Sequence, residues 1–116
     1  MPKAASELTI VSKNGSSKMM IKIDYSALKK AAGVLRAVNH KLRQSMIKLL
    51  EENGKMTVTE IYVKLRLEQS VASQHLAILR QANVVKTERD GKFIYYSLNE
   101  ERISELADLV EELANQ

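Results

Sequence analysis

Two short helical patterns lie so close together in this sequence that they limit the folds open to the chain. Residues 57–60, Thr-Val-Thr-Glu, have the spacing of a capping box, which marks the start of a helix. Ile61 and Leu65 continue its apolar stripe, and after a break at about residues 66–68 a second helical pattern runs to Ala82. Two helices separated by so short a break must cross at a steep angle, as in a helix-turn-helix.

The second of these helices has an apolar side and an uncharged polar side. Ala72, Leu76 and Leu79 line the apolar side. The other side carries Ser70, Ser73, Gln74 and Ala77, with Gln69 and His75 at its margins, so its polar groups are hydroxyls and amides with an imidazole beside them. Such groups reach base edges in a DNA major groove, and glutamine can pair with adenine through two hydrogen bonds. Taken alone, the pattern is equally typical of a neutral surface patch.

A β-hairpin is predicted directly after this helix. Two β-rich runs between Val84 and Leu98 are separated by Asp90-Gly91, a pair favoured by two-residue type I′ turns. Arg89 and Lys92 stand beside the turn. Basic hairpin tips are common for solubility, but beside a neutral polar helix these cations are candidate contacts to DNA phosphates.

Three further helices are predicted around this unit. The first begins near Asp24 or Ser26, and the second takes Asn39 as its N-cap and ends at Asn53-Gly54. The last runs from about Asn99 to Ala114.

The first and last helices carry apolar stripes and opposite charge. Residues 1–50 hold ten Lys or Arg against two acids, whereas residues 99–116 hold one against six. Paired across an apolar seam, these helices would form a dimer interface, for which the sequence offers Leu28, Leu35, Ile103, Leu106, Val110 and Leu113. The same stripes would also suit one face of the domain core.

The first 22 residues are expected to form a flexible arm, leaving residues 23–116 as one DNA-binding and dimerisation domain. Asn14-Gly15 could close a hairpin there, but a lone two-stranded hairpin is marginal, so the arm is favoured. At 116 residues the chain is too short for two domains of ordinary size.

Several function classes lack the residues they need. The chain has no cysteine and only two histidines, His40 and His75, so no metal site is predicted and no cofactor is assigned. The absence of a glycine-rich phosphate loop and of paired acid–base groups argues against an enzyme. No stretch approaches the roughly 18 apolar residues of a membrane span, and no secretory signal is present, so a cytoplasmic protein without a membrane partner is expected.

The order of these elements resembles the ArsR family of bacterial winged-helix repressors over about residues 28–113. The likeness rests on residues 67–76 (LEQSVASQHL), residues 89–98 (RDGKFIYYSL) and residues 39–43 (NHKLR). Lys41 stands where the family often has proline, and Glu68 stands where a serine usually caps the recognition helix.

The resemblance implies a mainly α fold with a small β-hairpin: a winged helix-turn-helix of five helices plus a two-stranded wing. It implies a homodimer, built on the first and last helices, that represses transcription at an inverted-repeat operator. The DNA-reading residues it implies are Gln69, Ser70, Ser73, Gln74 and His75, with Arg89 and Lys92 on the backbone. A winged-helix protein-interaction module is the alternative, and the sequence identifies no small-molecule or protein effector.

Overall fold

A computed structural model describes residues 7–11 and 20–115 of the chain, with side chains from Ile23 onward. The chain divides into two units, one ending at Gly33 and the other beginning at Val34. Helix α1 (Tyr25–Val38) begins in the first unit and ends in the second.

The first unit contains a β-hairpin. Strand β1 (Glu7–Val11) pairs antiparallel with β2 (Met20–Asp24) over five residue pairs. The two strands correspond to the hairpin that the sequence offered as the alternative to an arm, while the flexible arm expected over residues 1–22 stays a prediction. The proposed turn at Asn14-Gly15 lies outside the described residues.

The second unit is a winged helix-turn-helix, as predicted. After α1 it runs through α2 (Lys41–Asn53), β3 (Met56–Thr57), α3 (Val58–Leu65), α4 (Gln69–Gln81), β4 (Val85–Asp90), β5 (Phe93–Leu98) and α5 (Glu100–Ala114). The strand order is β3-β5-β4, so the two-stranded wing predicted from the sequence belongs to a three-stranded antiparallel sheet. Strand β3 was missed because two residues are too few to show an alternating pattern.

The core of the second unit lies between α2, α3, α4 and the start of β4. Its fully buried members are led by Met46, Leu50, Ile61, Leu76, Leu79, Val84 and Val85. Burying one side chain of this size contributes about 1.5–3 kcal/mol, so the apolar side of α4 is firmly attached to the domain.

Local signals explain three of the helix ends. Helix α2 ends where predicted, at Gly54, whose φ is +81°. The N–H of Gly54 donates to the carbonyl of Leu50 at 2.8 Å. The N-cap of α2 is His40 and not the expected Asn39, because the His40 Nδ1 accepts a hydrogen bond from the N–H of Leu42 at 3.1 Å. Asn99 caps α5 by accepting from the N–H of Arg102.

The turn of the β4–β5 hairpin is displaced by one residue from the prediction. Asp90 pairs with Phe93, so the two loop residues are Gly91 and Lys92 and not Asp90 and Gly91. Gly91 has φ of +64°, whereas Asp90 and Lys92 are not among the residues with positive φ. The predicted type I′ turn is therefore wrong, and a glycine at the first central position is the signature of a type II′ turn.

Candidate nucleic-acid interface

The junction between α3 and α4 is built by backbone geometry. The capping box that starts α3 is formed as predicted: the Thr57 hydroxyl accepts from the N–H of Glu60, whose carboxylate accepts from the N–H of Thr57. Arg66 ends α3 in the left-handed region with φ of 56°, and the N–H of Leu67 donates to the carbonyl of Tyr62 at 2.9 Å. The chain thus leaves α3 and begins α4 at Gln69 after only three connecting residues, 66–68.

Helix α4 divides its side chains between the core and solvent. Ala72, Leu76 and Leu79 have 0% of their surface exposed. The four residues that we call the polar side of α4 are all exposed: Gln69, Ser70, Ser73 and Gln74. A rigid helix that is anchored on one side and offers uncharged hydrogen-bonding groups on the other has the chemistry needed to meet base edges in a major groove.

His75 differs from the polar side because it is half-buried and contacts other protein groups. Its Nδ1 lies 3.1 Å from Nη1 of Arg43, and its ring centroid lies 4.8 Å from that of His40. Burial, followed by the charges of His40 and Arg43, lowers the pKa of His75 below its ordinary 6.5. The structure therefore separates His75 from the other four predicted DNA-reading residues.

Arg43 is the member of this site that sequence reasoning missed. Besides meeting His75, its guanidinium donates from Nε to the carbonyl of Ala37 and from Nη2 to the carbonyl of Arg36. It joins the end of α1, the start of α2 and the middle of α4. Its partner His75 lies 32 residues away, so no local pattern could have indicated the contact.

The wing, formed by β4 and β5, carries its two predicted cations in solvent. Arg89 donates from Nε to the carbonyl of Gly91 at 3.3 Å, and Nζ of Lys92 lies 5.4 Å from the ring centroid of Phe93. Within the part of the chain that is described, neither cation is in an ion pair. Further from the wing tip, Nζ of Lys55 lies 3.4 Å from Oε1 of Glu88. The charges at the wing tip are thus available to an anionic partner.

The six predicted dimer residues fall into two groups. Leu35, Ile103 and Leu106 are half-buried, and the last two pack against the core. The more exposed members are Leu28, Val110 and Leu113, at 46%, 45% and 60% exposure. Leu35 and Val110 line one groove of about 370 Å³, which brings the end of α1 beside α5. The stripe on α5 therefore faces the core at one end and solvent at the other.

The described ranges contain neither a metal-binding cluster nor a membrane-spanning helix. No three His, Asp or Glu side chains come together there as a metal-binding group. No described helix combines the length and apolar character needed to cross a membrane.

Comparison with known proteins identifies the family of this chain. Residues 40–87 match the model of the arsR family of bacterial regulatory proteins. The chain is 38% identical over 84 residues to an HTH-type transcriptional regulator of Methanocaldococcus jannaschii, covering 72% of this chain and 94% of the relative. It is 35% identical to the transcriptional repressor PagR of Bacillus anthracis, covering 77% and 89%.

Solved structures agree with the sequence relatives. The crystal structure of PagR superposes with a TM-score of 0.63 at 33% identity, covering 75% of this chain and 99% of PagR. A homodimeric winged helix-turn-helix DNA-binding domain from Mycobacterium bovis, described as a possible ArsR-family regulator, gives 0.66 at 27% identity, covering 78% and 82%. The chain therefore belongs to the ArsR family of bacterial regulatory proteins.

Proposed function

We propose that this protein is a transcriptional repressor that binds an inverted-repeat operator as a homodimer in the cytoplasm. One observation carries the proposal: α4 exposes the uncharged groups of its polar side while Ala72, Leu76 and Leu79 anchor it in the core. Direct reading of bases requires this combination of rigid support and free hydrogen-bonding groups. The family supports DNA binding over the alternative of a protein-interaction module.

Homodimer formation is supported by the apolar surface on the terminal helices. Leu28, Val110 and Leu113 are each more than two-fifths exposed, and the related Mycobacterium bovis domain is homodimeric. A two-fold dimer would present two copies of α4 to successive major grooves, roughly 34 Å apart, which accounts for an inverted repeat. Repression would then follow from occlusion of the promoter.

The division of labour between α4 and the wing gives the test. An operator is first selected from a random duplex pool, and dissociation constants for that operator and a scrambled duplex are measured across salt concentrations. Gln74→Ala is expected to weaken operator binding by about 1–3 kcal/mol and leave scrambled binding nearly unchanged. Lys92→Ala is expected to weaken both duplexes alike and to reduce the salt slope by about 0.9.

Lys48→Ala is the matched control for Lys92→Ala, since Lys48 is an exposed lysine on α2 outside the proposed interface. If Gln74→Ala and Lys92→Ala had the same effect on both duplexes, the assigned roles would be wrong. Failure of the wild-type protein to prefer any duplex at low salt would support the protein-interaction alternative instead.

A further inference from the structure

We propose that Arg43 and His75 form a positioning pair that fixes the orientation of α4 for operator reading. The proposal rests on the proposed function, because it concerns how the polar side of α4 is held. It assigns His75 to the support of the DNA-reading surface, where the sequence alone placed it among the DNA-reading residues.

The geometry of Arg43 suits a bracing role. One guanidinium meets three acceptors on two other elements: the carbonyls of Arg36 and Ala37 at the end of α1, and Nδ1 of His75 on α4. A guanidinium is planar and holds its donors in a fixed fork, so satisfying three acceptors restricts the separation and angle between those elements. A lysine in this place would supply a charge without the fork.

The contact also fixes which nitrogen of the neutral His75 ring carries the proton. Arginine carries donors and no acceptor, so Nδ1 of His75 must accept, and the neutral ring then carries its proton on Nε2. A second proton on Nδ1 would abolish the hydrogen bond and place a cation beside Arg43. The groups that face His75 are Arg43 and His40, both from the α2 region, and His40 is itself held as the N-cap of that helix.

The location of the pair explains why it would affect sequence reading. His75 directly follows Gln74 and lies between the polar side and the buried Leu76. A small rotation of α4 about its axis would move the hydroxyl and amide groups away from the base edges, whereas attraction of the wing cations to phosphate tolerates such a shift. Loss of the pair is therefore expected to reduce specificity more than nonspecific affinity.

Four variants test the proposal in the full-length protein. His75→Phe keeps a ring but removes the acceptor, and His75→Asn keeps an acceptor near the position of Nδ1. Arg43→Gln removes the fork, and Arg36→Gln is the charge-matched control, because Arg36 contributes its backbone carbonyl and not its side chain to the network. For each variant, the ratio of operator to scrambled-duplex affinity is measured, and the His75 ring is titrated by NMR.

The affinity ratio is expected to fall about tenfold or more in His75→Phe and Arg43→Gln, the size of effect that follows loss of base contacts. It should stay within about twofold of wild type in His75→Asn and Arg36→Gln, a margin below the cost of one lost base contact. The pKa of His75 should rise in Arg43→Gln, because that variant removes both a nearby cation and the hydrogen bond to the neutral ring. The pKa of His75 should be unchanged in Arg36→Gln.

Three results would overturn the pairing: a normal ratio in both His75→Phe and Arg43→Gln, a loss in His75→Asn as large as in His75→Phe, or an unchanged His75 titration in Arg43→Gln. Gln74→Ala separates this failure from failure of the proposed function. If Gln74→Ala loses discrimination while the pair variants keep it, only the positioning role is wrong. If the wild-type protein discriminates between no duplexes, the proposed function fails first.

Discussion

Removal of the Thr57 hydroxyl should measure how far the helix-turn-helix depends on its capping box. The Thr57 hydroxyl accepts from the N–H of Glu60 at 3.2 Å and donates to the Glu60 carboxylate at 3.1 Å. Thr57→Ala deletes both interactions. The bond from the Thr57 N–H to the Glu60 carboxylate, at 2.9 Å, involves no threonine side-chain atom and is retained.

The expected cost is about 1 kcal/mol of unfolding free energy, the middle of the range for losing an N-cap. The upper part of that range is not expected, because Glu60 is exposed and water can replace the lost acceptor. For a domain of this size, the melting temperature should fall by about 5 °C. Thr57→Ser keeps the hydroxyl and should remain near wild type.

The assay is urea unfolding followed by far-ultraviolet circular dichroism at one fixed protomer concentration, since dimerisation would make stability depend on concentration. Thr59→Ala is the matched control, because Thr59 is an exposed threonine inside α3 and alanine is the better helix former there. Equal destabilisation by Thr57→Ala and Thr57→Ser, or no difference between Thr57→Ala and Thr59→Ala, would refute the reasoning.

Two further predictions concern α4. Leu76→Ala, at a side chain with 0% exposure, should cost about 2–5 kcal/mol in the same assay, and Ile78→Ala, at 39% exposure, should cost well under half of that. Because the folded-state pKa of His75 is lowered, the unfolded chain binds its proton more readily, so stability should be complete above about pH 6.5 and decline as the pH falls toward the folded-state value. Urea midpoints from about pH 7.5 to pH 5 should show this decline more strongly in wild type than in His75→Asn.

The elements that the sequence predicted well are those set by neighbouring residues. The capping box at residues 57–60, the end of α2 at Gly54 and the start of α5 at Asn99 each depend on atoms within four residues of one another. The split of α4 into buried and exposed sides follows from helical periodicity alone. Because the break between α3 and α4 is only three residues long, their crossing needed no further information.

The elements that the sequence missed depend on distant partners or on small differences between alternatives. Strand β3 exists because Met56 and Thr57 pair with β5, about 40 residues further along the chain. The paired residues on β5 are Tyr96 and Tyr95. Either Asn39 or His40 could have capped α2 by local chemistry, and the contact of the His40 ring with His75 helps to fix the second choice. The observed hairpin turn lies one residue after the predicted one, because the pairing of β4 with β5 determines the register.

The candidate DNA-reading surface was likewise predictable only in part. Periodicity identified the exposed groups of the polar side, but it could not separate them from His75, which is close to them in sequence and half-buried in the fold. His75 differs from them by its contacts with His40 and with Arg43, whose side chain reaches α4 from α2. A residue that supports a site from another element leaves no periodic signal near that site.

The apolar stripe on α5 shows a second limit of prediction from periodicity. One regular pattern includes both side chains that pack against the core and side chains that are exposed. Ile103 and Leu106 pack against the core, whereas Val110 and Leu113, further along the same 15-residue helix, are largely exposed. Apolar side chains at helical intervals indicate that one face of a helix will be covered. They do not indicate whether the domain core or a partner covers it. Since Ile103 and Leu106 are half-buried against the chain's own core, most of the exposed apolar surface of α5 lies in its second half. We therefore expect a dimer built on α5 to be centred nearer to Val110 and Leu113 than to Ile103 and Leu106.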